Sequence, residues 1–112
     1  MAKVEITESL YKEIEKKFKG EAYNIIDLME SLEDNPLKGK FLGSVAGVVI
    51  KEIRYESFRF YFIADGYKLK LIEQGELQNI LIKFVRMSDK NSQQKVIEEI
   101  KAILRKIGEE GF

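Results

Sequence analysis

Cysteine, histidine and tryptophan are absent from this sequence of 112 residues, and proline occurs once. The absence of cysteine excludes disulfide bonds and thiolate metal sites. The absence of histidine excludes imidazole-based zinc sites, Ser-His-Asp triads and the usual general base near neutral pH. Any catalysis must therefore use Arg, Lys, Tyr or carboxylate side chains, and we expect no metal and no other cofactor.

Long apolar runs are also missing. No stretch approaches the roughly 20 residues that a membrane-spanning helix needs, and the opening residues, MAKVEITESLYKE, lack the apolar segment of a signal peptide. We therefore expect a soluble, cytoplasmic protein with no membrane partner. A chain of this length is typical of one domain, so we expect residues 1–112 to form a single domain.

The charges are unevenly distributed along the chain, although the formal net charge is zero. Residues 1–35 carry five Lys against nine Asp and Glu, whereas residues 36–70 carry seven Lys and Arg against three acids. Residues 83–106 again carry seven basic residues against three acidic ones. This asymmetry favours a surface on one side of the molecule that faces a polyanion.

Hydrophobic periodicity predicts an α+β fold. Residues 2–7 alternate like a half-buried strand, and apolar positions at helical spacing in 7–20 and 21–35 predict two helices that pack as a hairpin. Thr7 fits the N-cap of the first helix. The stretch NPLKGKFLGSVAG is predicted as a loop, and a last amphipathic helix over 90–108 is expected to close over the sheet.

Period-two patterns between the loop and the last helix predict a four-stranded antiparallel meander, with the helices on one face of the sheet. Asp65-Gly66 is typical of a tight hairpin turn between the second and third of these strands. The four strands are placed near residues 47–55, 57–64, 67–73 and 78–86.

Alternation along these strands separates an apolar row from a cationic one. Phe58, Phe60 and Phe62 point to the core, so Arg59 and Tyr61 point to the other face. A polar face with Lys is also what a merely solvated antiparallel sheet shows. The excess of bases over acids favours phosphate contacts, with Tyr61 available for base stacking. The cationic row is predicted to contain Arg54, Arg59, Lys68 and Lys70, with Glu52 among them.

Several short motifs resemble one family. The element order, the loop NPLKGKFLG, the triplet EIR followed by FRFYF, and FVRMSDK before the last helix resemble the RelE/ParE toxin superfamily. Within that superfamily the sequence most resembles the branch of HigB-like, phage-derived killer proteins. The resemblance implies a RelE-like fold and the toxin component of a type II toxin–antitoxin system, acting as a ribosome-dependent mRNA endoribonuclease that inhibits translation. Its partners would be mRNA on the ribosome and a cognate antitoxin that covers the basic sheet.

The resemblance also implies site residues. Arg54, Arg59 and Arg86 match the family's catalytic arginine and basic positions, and Lys70 or Lys83 would transfer protons. Phe58, Met87 and Glu52 depart from the family's usual Tyr, Lys and Lys. The residues predicted to contact RNA are Lys40, Lys68, Lys70, Lys83, Lys90 and Tyr61.

Two other function classes fit the same residues. One is a non-catalytic protein of the same fold, either a ParE-like gyrase inhibitor or an inactive toxin-like binding protein. The other is a structural or interaction domain with no nucleic-acid role, which the zero net charge favours.

Overall fold

Two helices follow a short N-terminal strand, as the sequence predicts. Strand β1 spans Ala2–Ile6, helix α1 spans Glu8–Phe18 and helix α2 spans Ala22–Glu30. Thr7 caps α1, because its hydroxyl accepts a hydrogen bond from the Leu10 N–H at 3.4 Å. Helix α2 is shorter than predicted, since a 3₁₀ turn replaces its last part.

The remaining strands complete a mixed sheet in this computed structural model, which describes residues 1–110. Its five strands run in the order β1-β5-β4-β3-β2, with β1 parallel to β5 and every other neighbouring pair antiparallel. The α+β class is therefore confirmed. The predicted four-stranded antiparallel sheet did not include β1, which joins the observed sheet as a strand parallel to β5. The later strands are β2 (Lys40–Val45), β3 (Val48–Tyr55), β4 (Phe58–Asp65) and β5 (Ile80–Ser88).

The prediction of a strand at 67–73 is wrong, because this segment forms helix α3, Gly66–Glu73. Asp65 caps the helix rather than turning a hairpin, and its Oδ1 accepts a hydrogen bond from the Lys68 N–H at 2.9 Å. At the other end Gly75 takes a φ of +88°, and its N–H bonds to the Ile72 carbonyl at 3.0 Å. The consecutive antiparallel strands β4 and β5 are thus joined through a helix, not a tight turn.

The predicted loop at residues 35–47 contains strand β2, which pairs with β3. Ala46 and Gly47 connect the two strands with φ values of +52° and +82°, the left-handed pair that a two-residue hairpin turn requires. A bulge lies between Phe41 and Gly43. The glycines that suggested a loop therefore serve the bulge and the turn.

Helices cover both faces of the sheet, so the prediction of helices on one face is wrong. Helix α4, Gln93–Glu110, packs on the face opposite α1 and α2. Strands β3 and β4 bury apolar side chains on each face, which lets both layers form. The α4 layer contains Ile50, Tyr61, Val96, Ile97, Ile100 and Leu104, and the other layer contains Leu10, Ile14, Ile25, Met29, Ile53, Phe60, Phe62, Ile82 and Phe84. No helix in residues 1–110 has the length and apolarity needed to cross a membrane.

Candidate nucleic-acid interface

The α4 face of the sheet carries two cross-strand rows of polar residues near the ends of β3 and β5. Residues directly opposite one another on neighbouring strands share a face. One row contains Lys40, Glu52, Tyr61 and Arg86, and the next contains Arg54, Arg59 and Ser88. The register therefore places the three predicted catalytic arginines and Lys40 on one face.

Glu52 is the centre of this polar cluster. Its side chain is 1% exposed, with Arg54 Nη2 at 3.6 Å from Oε1 and Arg59 Nε at 3.9 Å from Oε2. Neither separation is short enough for a hydrogen bond, and both Glu52 oxygens and Arg59 Nε have no hydrogen-bond partner among the described residues. The negative charge of Glu52 is therefore balanced by the positive charges of Arg54 and Arg59, without a hydrogen bond to either.

The two arginines of the cluster differ in accessibility. Their Cα atoms are direct partners on β3 and β4, an arrangement of like charges that is unfavourable without Glu52 between them. Arg59 is buried, and its Nη1 donates to the Ser57 carbonyl at 3.0 Å. The Arg54 side chain is 52% exposed. Arg54 is therefore the guanidinium that can reach a bound phosphate directly.

Tyr61 is enclosed beneath α4 and is 0% exposed. Its hydroxyl lies 2.7 Å from Ser88 Oγ, and Ser88 Oγ donates its own proton to the Asp89 carbonyl at 2.9 Å. Tyr61 is accordingly the donor of the shared bond. In this structure a base cannot stack on Tyr61, so the predicted stacking surface is not open.

Burial raises the pKa of Tyr61 above its ordinary value of 10.0. The charge of Glu52 raises this pKa further, and the charges of Arg59 and Arg54 lower it. The folded protein therefore holds the phenol proton more tightly than the unfolded chain does. This stabilisation is complete below pH 10 and is lost as the pH rises through the folded pKa.

The wild-type protein should consequently lose free energy of unfolding above about pH 10 more steeply than Tyr61→Phe does. Urea denaturation at a series of pH values measures the two slopes. Lys51 has the opposite effect on the free energy of unfolding in both proteins. Burial disfavours its charged form and so lowers its pKa from 10.5, and this destabilisation is relieved as the pH rises and the ammonium loses its proton. Its contribution cancels in the comparison. Equal slopes would show that the Tyr61 phenol is not buried as described.

Arg86 reaches the α4 face through a β-bulge. Tyr61 pairs with Arg86 whereas Phe62 pairs with Phe84, so Val85 is the extra residue of β5. Arg86 Nη2 contacts Glu99 Oε1 of α4 at 3.5 Å, and the Arg86 side chain is 40% exposed. The bulge could not be recognised in the sequence, yet it decides which side of the sheet carries this arginine.

A polar cleft of about 280 Å³ lies beside Arg86, between α1 and the start of α4. Lys17 and Lys95 line this cleft. The helical periodicity of the sequence places each lysine on the polar face of its own helix, but it does not indicate that the two side chains lie near each other. Lys17 also lies 5.0 Å from the centre of the Phe58 ring. The lining includes Glu13, Lys17, Phe58, Arg86, Ser88, Asp89, Lys95 and Glu99.

The other predicted cations are dispersed, and the prediction that Lys68 and Lys70 share the sheet surface with the arginines is wrong. Both lie on α3, because the segment is helical. Lys83 shares the α4 face but lies towards the opposite end of β5 from Arg86, and Lys90 is exposed in the loop after β5. Only Lys40 of the predicted RNA-binding lysines belongs to the rows around Glu52.

The chain matches no protein-family model, no curated protein and no solved structure. Within residues 1–108 no group of three or more acidic side chains could hold a metal ion. The support for a function therefore comes from the Glu52 cluster and from the motif resemblance.

Proposed function

We propose that this chain is a toxin of the RelE/ParE superfamily, nearest to the HigB-like branch, that cleaves mRNA on the ribosome and so inhibits translation. The RelE-like arrangement of its sheet and helices is part of the same proposal. The observation that carries it is the direct pairing of Arg54 with Arg59 around the buried Glu52. A second support is the position of Arg86 and Lys40 in the adjacent row.

In this proposal the RNA 2′-hydroxyl attacks the neighbouring phosphorus. The bond from the 2′-oxygen to phosphorus forms, the bond to the 5′-oxygen breaks, and the proton lost by the 2′-hydroxyl is matched by one gained by the 5′-oxygen. The products are a 2′,3′-cyclic phosphate and a 5′-hydroxyl. The transition state gathers negative charge on the phosphoryl oxygens, which a planar guanidinium stabilises well.

Arg54 is the proposed contact to that phosphate, since it is the exposed member of the arginine pair. Glu52 lies beneath and attracts the Arg54 guanidinium by its charge, and Arg59 balances the carboxylate from the buried side. Arg86 and Lys40 flank the pair at the surface and are placed to hold neighbouring phosphates. Lys70 and Lys83 lie outside these rows, which argues against either as the proton-transfer group.

A bacterial growth assay tests the proposal. Induced expression of the wild-type chain should arrest growth and stop incorporation of labelled amino acids, whereas the double variant Arg54→Ala/Arg59→Ala should do neither. Lys16→Ala, an exposed residue of α1, is the matched control and should arrest growth like the wild type. Arrest by the double variant, at equal levels of folded protein, would refute the proposal.

The partners follow from the same proposal. The ribosome would present mRNA to the exposed arginines, and a cognate antitoxin would neutralise them in resting cells. A short acidic protein encoded beside this chain would fit that role.

A non-catalytic protein of the same fold is the second candidate, either a ParE-like gyrase inhibitor or an inactive toxin-like binding protein. The burial of Arg59, and of Tyr61 beneath α4, favours this candidate, because neither side chain can touch RNA in this structure. It predicts growth effects without RNA cleavage, or no effect at all.

A further inference from the structure

Lys51 is a buried amine on the face of the sheet opposite the Glu52 cluster. Its neighbours on that face of β3 are Val49 and Ile53, which pack in separate apolar clusters. Its direct partner on β4 is Phe62, and Lys51 is only 8% exposed. A lysine is almost never buried to this degree unless it is paired. The proposed cleavage of RNA gives this residue no role.

One hydrogen bond and no close carboxylate compensate the Lys51 ammonium. Its Nζ donates to the Leu37 carbonyl at 2.8 Å, and among residues 1–108 no carboxylate oxygen lies within 4.0 Å of it. Burial lowers the pKa of Lys51 from 10.5, and the charge of Glu73 partly opposes the shift. The folded protein therefore holds more of this amine in the neutral, nucleophilic form than a solvated lysine does.

A hollow of about 220 Å³ opens onto this amine between β2, β3 and α3. Most of its apolar surface comes from residues of these strands and from Leu69, and the exposed Lys70 and Glu73 supply charge. Pockets for drug-sized molecules measure about 300–1,000 Å³, so the hollow suits a smaller ligand. The Lys51 hollow, as we call it, is lined by Phe41, Val49, Lys51, Gly66, Leu69, Lys70 and Glu73.

We propose that Lys51 forms an imine with a small aldehyde that binds in the Lys51 hollow. A desolvated lysine beside an apolar cavity is the arrangement that Schiff-base chemistry with carbonyl compounds uses. A mainly apolar aldehyde is the class that fits, because Phe41, Val49 and Leu69 line the space next to the amine. The proposal does not depend on RNA cleavage, since the hollow and the Glu52 cluster lie on opposite faces of the sheet.

The reaction needs no oxidant, reductant or metal. The neutral amine adds to the aldehyde carbon, so that a carbon–nitrogen bond forms and a proton passes from nitrogen to oxygen to give a carbinolamine. Loss of water then breaks the carbon–oxygen bond and leaves the imine. Both hydrogens of that water come from the amine, and the reverse reaction with water restores Lys51.

Reductive trapping with the full chain tests the proposal. Benzaldehyde is the probe, and sodium cyanoborohydride reduces each imine to a stable secondary amine, whose position is read by mass spectrometry of peptides. At about pH 7.5 Lys51 should be modified at least ~10-fold faster than Lys16, an exposed lysine of α1, because the hollow holds the aldehyde beside the amine. The rate at Lys51 should also saturate with benzaldehyde concentration, whereas the rate at Lys16 should rise in proportion.

Glu73→Gln gives a readout that a purely structural lysine would not show. It removes the charge that raises the Lys51 pKa, so Lys51 should become reactive at lower pH while the pH profile of Lys16 stays unchanged. Glu15→Gln, with the same charge change on α1, is the matched control and should leave both profiles unchanged. Lys51→Arg keeps a positive donor for the Leu37 carbonyl and forms no imine, so the modified peptide should disappear while mRNA cleavage is unaltered.

Three results would overturn the proposal, with circular dichroism showing that each protein is folded. They are modification of Lys51 no faster than that of Lys16, a rate at Lys51 that does not saturate, and a pH profile of Lys51 unmoved by Glu73→Gln. Modification of Lys51 only after denaturation in urea would also contradict it, and would leave the amine as an anchor for the Leu37 carbonyl.

Discussion

Arg54→Ala should lower the rate of mRNA cleavage by a factor of about 10²–10³, the usual effect of removing one donor that stabilises developing negative charge. Its free energy of unfolding should fall by only about 1 kcal/mol or less, because the Arg54 side chain is half exposed and Arg59 still compensates Glu52. Single-turnover cleavage of a ribosome-bound message measures the rate, and urea denaturation measures the stability.

Arg54→Lys provides the conservative comparison. Lysine keeps the positive charge and loses the planar fork, so we expect it to recover part of the rate and not all of it. A rate in Arg54→Ala equal to that of the wild type would remove Arg54 from the site. A loss of folding in Arg54→Ala would contradict its position at the surface.

Glu52→Ala should be the most destabilising single substitution in the polar cluster. It leaves the buried Arg59 without a counter-charge and places two guanidinium groups opposite each other, so we expect the free energy of unfolding to fall by about 3–5 kcal/mol. Urea denaturation of Glu52→Ala and of Glu15→Ala, an exposed acid of α1, gives the comparison. Glu15→Ala should change stability by about 0.5 kcal/mol or less.

A double substitution distinguishes stability from function in the same cluster. Buried ion pairs are often replaced by apolar residues of similar volume without loss of stability. Glu52→Leu/Arg59→Met should therefore regain most of the stability lost in Glu52→Ala while cleavage stays low. Recovery of cleavage as well as stability would mean that Glu52 and Arg59 contribute to the stability of the protein and not to cleavage.

Helices α1, α2 and α4 and the hairpin of β3 and β4 could be predicted because their signals are local. Thr7 caps α1 as its sequence position indicates, and the alternation of Phe58, Phe60 and Phe62 correctly identifies the face towards α1 and α2. The pair Arg54 and Arg59 lies on adjacent strands as the hairpin pattern requires.

Helix α3 could not be predicted in the same way. The segment KLKLI alternates like a strand, and Asp65 is as common in turns as at helix N-caps. Tertiary contacts decide between helix and strand for this segment. Leu69 packs with Ala64 and Ile80. Gly66 lies close to the turn between β2 and β3, where a Cβ added to it would be 3.0 Å from the Gly47 carbonyl oxygen. Those contacts join segments far apart in the chain.

The position of α4 limited the prediction of the site. Its amphipathic pattern is clear in the sequence, but both faces of the sheet offer apolar residues, so the pattern does not say which face it covers. Because α4 packs over Tyr61 and Ile50, the face expected to lie open to RNA is largely buried. Exposed positive charge remains at its margin, on Arg54, Arg86 and Lys40.

Primer extension on a message translated in a cell extract tests the central claim most directly. Added wild-type protein should produce new 5′ ends at codons within the translated region, dependent on ribosomes, while Arg54→Ala should give at most about a hundredth of that signal. Lys16→Ala should cut like the wild type. The absence of new ends with folded wild-type protein, or equal cleavage by Arg54→Ala, would contradict the proposal that this surface cleaves mRNA.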